Sequence, residues 1–459
     1  MSDVIAAIAT ARGVAALAII RVSGPGSVAL VNAGFKGKDL EAADSHTAHV
    51  GYILDSTGTE IDQVVVTLFK SPRSVTGEDV VEISSHGGDF ASQFILKSLL
   101  DRGARLAAPG EFTQRAFLNG KMDLAQAEAV ADLIHASSSM AHRVSLQHIQ
   151  GRYSDQLDRL RDELIELCAY IELEMDFVEE DVEFADKGRL VELLDESIRL
   201  LVELQDSYQL GSMIRDGVRV VIAGRPNAGK STLLNALVGR DRAIVSDIPG
   251  TTRDEIEAEA EIDGVRFRFI DTAGLREASD VIEAEGVRRA QQSAEAADLL
   301  IYVVDASLGL DDGEQSWLET LQAKHPGLPL VLVANKSDQV DGPAKIESDA
   351  TPSIPLSAQH ALKEIDALKP LTEQLKHLVT THLHRAEASP VVMNQRHQHH
   401  LRNALTAVRN ARAAIDYQIS MDALVVDLRV ALHELGQITG KITNEDVLDQ
   451  IFSRFCIGK

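Results

Sequence analysis

Segment Gly224-Arg-Pro-Asn-Ala-Gly229-Lys230-Ser231 satisfies G-x-x-x-x-G-K-[ST], with the apolar run RVVIAG before it and the helix-compatible STLLNALVG after it. Glycines at these places let backbone N–H groups curl around phosphate oxygens at a helix N-terminus. Asn227, Ala228, Gly229, Lys230, Ser231 and Thr232 would line that loop. Lys230 offers a point charge to the β and γ phosphates, and Ser231 can ligate Mg²⁺. Asp271-Thr272-Ala273-Gly274 closes a second apolar run, where a carboxylate can hold the magnesium shell and Gly274 can offer its N–H to a γ-phosphate. Asn335-Lys336-Ser337-Asp338 closes a third. A carboxylate there accepts from both N1–H and the 2-amino group of guanine, which adenine cannot supply, so the base preference is GTP. Ser357-Ala358 follows at the spacing of a backbone contact to the guanine O6. The stretch Ser246-Asp247-Ile248-Pro249-Gly250-Thr251-Thr252-Arg253 is placed to close over the γ-phosphate.

Small regulatory GTPases carry a glutamine after D-x-x-G to orient the attacking water. Here that residue is Leu275, which cannot do so. The task falls to a partner or to another residue of this chain, with Glu277, Glu283 and Glu285 as downstream candidates.

These motifs need a parallel sheet with helices on both faces, and residues 216–380 supply the repeated pattern of strand, loop and helix. On either side the texture is helical. Leu157, Leu160, Leu164, Leu167 and Ile171 form one seam at steps of three and four, and Leu190, Leu194, Ile198, Leu201, Leu204 and Tyr208 form a second. Leu401, Leu405, Val408 and Ile415, then Leu424, Leu428, Leu432 and Leu435, resume the pattern after Pro390. The acidic stretch between the first two seams (Asp176, Glu179, Glu180, Asp181, Glu183, Asp186) reads as a solvated connector. Residues 1–120 alternate β-rich runs with glycine-bearing turns. The fold class is therefore multidomain α/β and all-α. An N-terminal α+β domain (1–120) precedes a discontinuous helical domain (121–215 and 381–459), into which a Ras-like P-loop domain (216–380) is inserted.

The chain of 459 residues has 45 Lys+Arg against 70 Asp+Glu, a formal charge of −25. That field opposes coating nucleic acid or an anionic membrane, so any RNA contact must use a restricted basic patch. His397, His399 and His400 beside Arg396 and Arg402, with Arg385, Arg409 and Arg412, are the best candidate for it. Two cysteines, Cys168 and Cys456, form no disulfide framework and fit a reducing cytosol. Cys168 belongs to the helical core. Cys456 is either a nucleophile near the basic Arg454 and Lys459 or a buried structural cysteine. Asp3, Arg12 and Arg21 cut the apolar N-terminus into pieces shorter than the ~18 residues a membrane helix needs. With no basic leader, the expectation is a cytoplasmic protein without membrane association. Ser84-Ser85-His86-Gly87-Gly88 lacks the G-x-S-x-G arrangement of a nucleophile elbow and reads as a glycine-rich turn.

The nucleotide motifs resemble those of the translation-factor-related GTPases. Together with TGEDVVEISSHGG, PGEFTQRAFLNGKMDLAQAEAVADLI, DIPGTTRD, DTAGLREASD and the terminal Phe455-Cys456-Ile457-Gly458-Lys459, they resemble the tRNA-uridine modification GTPases called MnmE or TrmE. The resemblance runs from Arg21 to Lys459. It implies a potassium-stimulated GTPase that acts with the flavin-dependent MnmG (GidA), in a heterotetramer or larger complex. Their joint product is an aminomethyl or carboxymethylaminomethyl group on C5 of the wobble uridine (U34) of certain tRNAs. It also implies homodimerisation and a reduced folate, 5,10-methylenetetrahydrofolate or a 5-formyltetrahydrofolate-like one, in the N-terminal domain.

By the same resemblance the K⁺ ligands are Asn227, Ser246, Ile248 and Thr251, and the Mg²⁺ ligands are Ser231 and Thr252. Ser246 stands where family members often carry threonine; a backbone contact is indifferent to that change, and a serine hydroxyl still serves a side-chain contact. The water-orienting glutamate is Glu283, otherwise an exposed helix residue. Folate contacts fall on Arg21, Glu82, Lys121 and Lys459; Cys456, read from the residues alone, stays open between covalent chemistry, a cofactor contact and a structural role. From the residues alone, Arg21 is a strand-end charge and Glu82 sits on an open strand face. A ribosome-assembly GTPase binding rRNA, or a GTP-controlled scaffold, shares the nucleotide motifs. The N-terminal domain and the tail favour the modification enzyme.

Overall fold

The computed structural model describes residues 3–176, 187–239, 257–271, 297–340, 352–388, 391–417 and 421–459. The acidic connector from Glu179 to Asp186 lies outside them. The chain forms two compact units: residues 1–134, 148–197 and 403–459, and residues 135–147 and 198–402.

In the first unit, strands β1 (Ile5–Ile8), β2 (Leu17–Ser23), β3 (Phe35–Lys36), β4 (Thr47–Leu54), β5 (Glu60–Phe69), β6 (Val80–His86) and β7 (Arg105–Leu106) form one sheet. Their order is β3-β4-β5-β6-β2-β1-β7. Every pair is antiparallel except β1 with β7. Alternation in β5 explains its placement: Val64, Val66 and Leu68 are buried, while Val65 between them is exposed. They join Ile20, Val22, Val81 and Ile83 in a core capped by Ile95 and Leu99 of the helix Asp89–Asp101.

The first leucine seam is buried throughout, from Leu157 to Ile171, along the 25-residue helix Arg152–Asp176. Cys168 is buried beside it, and burial pushes its thiol up to about 11. Glu172 pairs with Arg429 at 2.6 Å and Asp158 with Lys441 at 2.6 Å, tying this helix to the chain's last segment. The terminal segment itself is pinned rather than loose. Ile457 bridges Pro109, the Phe112 N–H donates to the Lys459 carbonyl at 3.1 Å, and the Gly110 N–H donates to the Cys456 carbonyl at 3.4 Å. Gly458 has φ +96, and a Cβ there would sit 2.6 Å from the Ile8 carbonyl oxygen, so only glycine lets the tail lie this close.

In the second unit, β8 (Val218–Ala223), β9 (Glu257–Ile262), β10 (Val265–Asp271), β11 (Leu299–Asp305), β12 (Leu330–Asn335) and β13 (Ser353–Pro355) form a sheet of order β13-β12-β11-β8-β10-β9. All pairs are parallel except β9 with β10. Being covered on both faces, its central strands read as continuous apolar runs instead of alternating ones. Val220, Ile222, Ile301 and Val303 face a core with Leu233 and Leu237 of the helix Lys230–Val238. Val221, Leu300 and Val304 face Leu318 and Leu321 of the helix Asp312–Lys324. Residues 135–147 pack with this unit: the Met140 N–H donates to the Gly264 carbonyl at 3.1 Å, and Arg266 donates to Ser137 Oγ at 2.7 Å. Among the described residues no helix is long and apolar enough to cross a membrane.

Candidate functional site

The phosphate loop leaves the end of β8 as the sequence pattern requires. Gly224 has φ +140, and a Cβ there would meet the Val303 carbonyl oxygen at 2.1 Å, so a side chain at this turn would collide with neighbouring strand β11. Asn227 has φ 62, a conformation asparagine tolerates better than most residues, and its side chain is exposed. Gly229, φ +95, opens the helix Lys230–Val238. Lys230 is buried and donates to the carbonyls of Gly224 at 2.8 Å and Arg225 at 2.7 Å. Ser231 is exposed in the first helical turn, and Thr232 half-buried beside it. The donor set fits the groups expected there: a glycine-opened helix N-terminus for phosphate, and hard oxygens on Asn227 and Ser231 for Mg²⁺ and K⁺.

Asn335 joins this loop to the base-recognition segment. Only 2% exposed at the end of β12, it donates through Nδ2 to the Ala228 carbonyl at 2.7 Å and accepts at Oδ1 from the Ala358 N–H at 2.9 Å. A Cβ on Gly229 would sit 2.1 Å from Asn335 Nδ2, so glycine and amide are fitted to each other. Lys336, φ 61, pairs with Asp305 at 2.6 Å. Burial opposes ionisation of Asp305, but bonds from Lys336 and Ser307 outweigh it and lower its pKa. Asp338 is exposed, and the Ser357 hydroxyl holds its carboxyl below the usual range. It is thus ionised throughout the neutral range, as a guanine acceptor must be. The Ser337 N–H donates to the Leu356 carbonyl at 3.1 Å, and Ser357 caps the short helix Ala358–Ala361. The structure therefore brings together Asn227–Thr232, Asn335–Asp338 and Ser357–Ala358. Ser246–Thr252, Thr272–Gly274 and Glu283 lie outside the described residues, and only the backbone of Asp271, at the end of β10, is described.

In the first unit Arg21 and Glu82 are directly opposite in the β2–β6 ladder. Arg21 donates through Nε to Glu82 Oε1 at 2.9 Å, and its Nη2 lies 2.8 Å from the same oxygen, both side chains largely shielded. This corrects two expectations. Arg21 lies within its strand, not at its end, and Glu82, on the face opposite the core, is partly shielded by its pairing with Arg21 instead of lying free on an open face. The Arg21 guanidinium lies 5.7 Å over the Phe112 ring, and the Phe112 N–H holds the Lys459 carbonyl, so three of the four expected folate residues share one neighbourhood. Lys121 donates to the Pro72 carbonyl at 3.1 Å, in the loop before β6. Cys456 is exposed, which excludes the buried structural reading for it.

Sequence reasoning missed Phe112, and it missed the ion cluster beside it. Arg115, 1% exposed, donates to Asp3 Oδ1 at 2.8 Å and Glu111 Oε1 at 2.9 Å, with Glu78 at 3.2 Å. No local motif announces partners 37 and 112 residues away. The expected basic face also changes. His397 is buried with Arg396 at 3.0 Å, and Arg412 is bound to Asp195 at 3.0 Å and Asp416 at 2.6 Å. His399 and Arg402 remain exposed beside each other, but the patch is smaller than the sequence suggests. Among the described residues no group of three His, Cys, Asp or Glu could hold a metal ion. Ser84 to His86 lie in β6; Ser85 bonds the Ala18 carbonyl and His86 bonds Asp62, so no serine–histidine pair forms.

A phosphate loop at the end of a central parallel strand, stapled by a buried asparagine to a guanine-selective N-K-x-D segment, defines a P-loop GTPase. Residues 4–121 match the family described as GTP-binding protein TrmE N-terminus, and residues 124–456 match the MnmE helical domain. The tRNA modification GTPase MnmE of Salinibacter ruber is 61% identical over 458 residues, covering 100% of this chain and 99% of that protein. Its namesake in Cytophaga hutchinsonii is 45% identical, covering 100% and 98%. The G-domain of FeoB from Methanococcus jannaschii is 27% identical over 36% of this chain and 98% of its own, with a TM-score of 0.24. The chain belongs to the tRNA modification GTPase MnmE family.

Proposed function

We propose that the chain is a potassium-stimulated GTPase whose turnover times a separate one-carbon chemistry on tRNA. The observation that carries the nucleotide half is the Asn335 staple, which sets the phosphate loop and the base segment at a fixed spacing. Lys230 and the loop amides bind the phosphates, and Asp338 reads the base. Ser231 and Thr252 would hold Mg²⁺; Asn227, Ser246, Ile248 and Thr251 would hold K⁺. Bound there, the cations would neutralise charge that develops on the phosphoryl oxygens. Glu283 orients the water that Leu275 cannot.

The one-carbon half rests on the Arg21–Glu82 pair. A carboxylate matches the adjacent amide and amine of a pterin, and Arg21, Lys121 and Lys459 match a glutamyl tail. The folate, 5,10-methylene- or 5-formyl-substituted, would supply the carbon, with Cys456 exposed in the tail segment, its carbonyl held by the Gly110 N–H. Membership of a tRNA modification family supports tRNA as the substrate; a homodimer acting in the cytoplasm with the flavin-dependent MnmG partner completes the reading. Mass spectrometry of wobble nucleosides from cells lacking this protein tests the reading. Loss of the C5 substituent is expected; an unchanged profile moves the function to rRNA binding in ribosome assembly.

A further inference from the structure

Arg225 is the second residue of the phosphate loop, and its carbonyl is one of the two that hold Lys230. Its side chain leaves the loop altogether. Nη2 lies 2.6 Å from Glu314 Oε2 and 2.6 Å from Asp311 Oδ2. These carboxylates are the two halves of the capping box of the helix Asp312–Lys324: Asp311 accepts from the Glu314 N–H at 2.7 Å, and Glu314 accepts from the Asp311 N–H at 3.0 Å. The remaining oxygen of Glu314 accepts from the Tyr302 hydroxyl at 2.8 Å. Tyr302 lies with its ring centroid 5.5 Å from that of Trp317, the only tryptophan of the chain.

A capping box satisfies its own backbone donors and needs no arginine. Here a largely buried carboxylate also takes a charge-assisted bond from a loop that must receive a polyphosphate, and such bonds are about twice as strong as neutral ones. We propose that Arg225 is a positioning residue for GTP: tethered to Glu314 and Asp311, it fixes the limb of the phosphate loop that holds Lys230, and it links that limb through Tyr302 to Trp317. The loop and the helix then move as one body, so filling the loop is felt at the indole.

The test uses the full chain. In the wild type, GDP should change the Trp317 emission. In Arg225→Ala, KM for GTP should rise about tenfold, the scale of one charged hydrogen bond. Its kcat should stay within about twofold, as when binding common to ground and transition states is lost, and the emission response to GDP should disappear. Arg225→Lys should recover most of both, since an ammonium still reaches one carboxylate. Glu314→Gln, which keeps the capping acceptor but discharges the tether, should move KM in the same direction by about threefold; it serves if the alanine variant does not fold. A purely structural ion pair would lower the melting temperature and leave KM and emission response alone. Retention of either the wild-type KM or the wild-type response in Arg225→Ala, or a wild-type emission indifferent to GDP, overturns the proposal.

Discussion

Around the phosphate loop, Lys230 reaches carbonyls only five and six residues back, and glycines at 224 and 229 shape the turn. Across the antiparallel sheet, Arg21 finds Glu82 61 residues away, and Phe112 meets the last residue of the chain. The nucleotide site is thus mostly local backbone geometry, with one long-range staple; the proposed one-carbon site is entirely tertiary. The first should therefore fail when a turn is blocked, and the second when a pairing partner is removed, each without the other.

The largest effect expected is from Gly224→Ala. Its Cβ would collide with a strand carbonyl at 2.1 Å in a left-handed conformation, and a strain of about 3–4 kcal/mol would weaken nucleotide binding by about 10²–10³-fold. Calorimetric titration with GDP measures it, and folate binding should be untouched. Asn335→Ala comes next. It leaves the Ala228 carbonyl and the Ala358 N–H buried without the amide, at about 1–3 kcal/mol each, so GDP affinity should fall about a hundredfold. An affinity within threefold of wild type would mean the two segments hold their spacing unaided.

Asn227→Ala should reduce the advantage of potassium over sodium in GTP hydrolysis about tenfold or more while leaving GDP affinity largely intact. Equal rates in the two salts with the wild type would remove potassium from the account. On the other side of the comparison, Arg21→Ala should weaken binding of a reduced folate about tenfold, the scale of one charged contact, with GTP turnover unchanged. The smallest effect contrasts the thiols. Iodoacetamide at pH 8 should label Cys456 in the native protein, and label Cys168 only after unfolding, because Cys168 is buried with its thiol near 11.

The same contrast explains what was legible in advance. Gly224 to Ser231 and Asn335 to Asp338 could be read because the chemistry resides in contiguous residues whose spacing is the geometry. The parallel sheet could be read because its doubly buried strands are unbroken apolar runs. Arg21 and Glu82, taken alone, were misread as a strand-end charge and an open-face carboxylate, since nothing local specifies a register in which β2 and β6 place them opposite. Arg115 was invisible for the same reason. The Arg225 tether had half a signal: Asp311-x-x-Glu314 is a capping box, but its third partner comes from 89 residues away. The basic face around His397 was overread, because helical spacing does not tell which histidine turns inward.

The most direct test of two separable sites is to measure GTP hydrolysis and wobble-uridine modification on one preparation of Cys456→Ser, which keeps the size of an exposed side chain and removes its thiol. Potassium-stimulated hydrolysis near the wild-type rate with no modified uridine is the result predicted. Modification retained would reduce Cys456 to a surface residue, and a parallel loss of both activities would contradict the division between the nucleotide site and the tail.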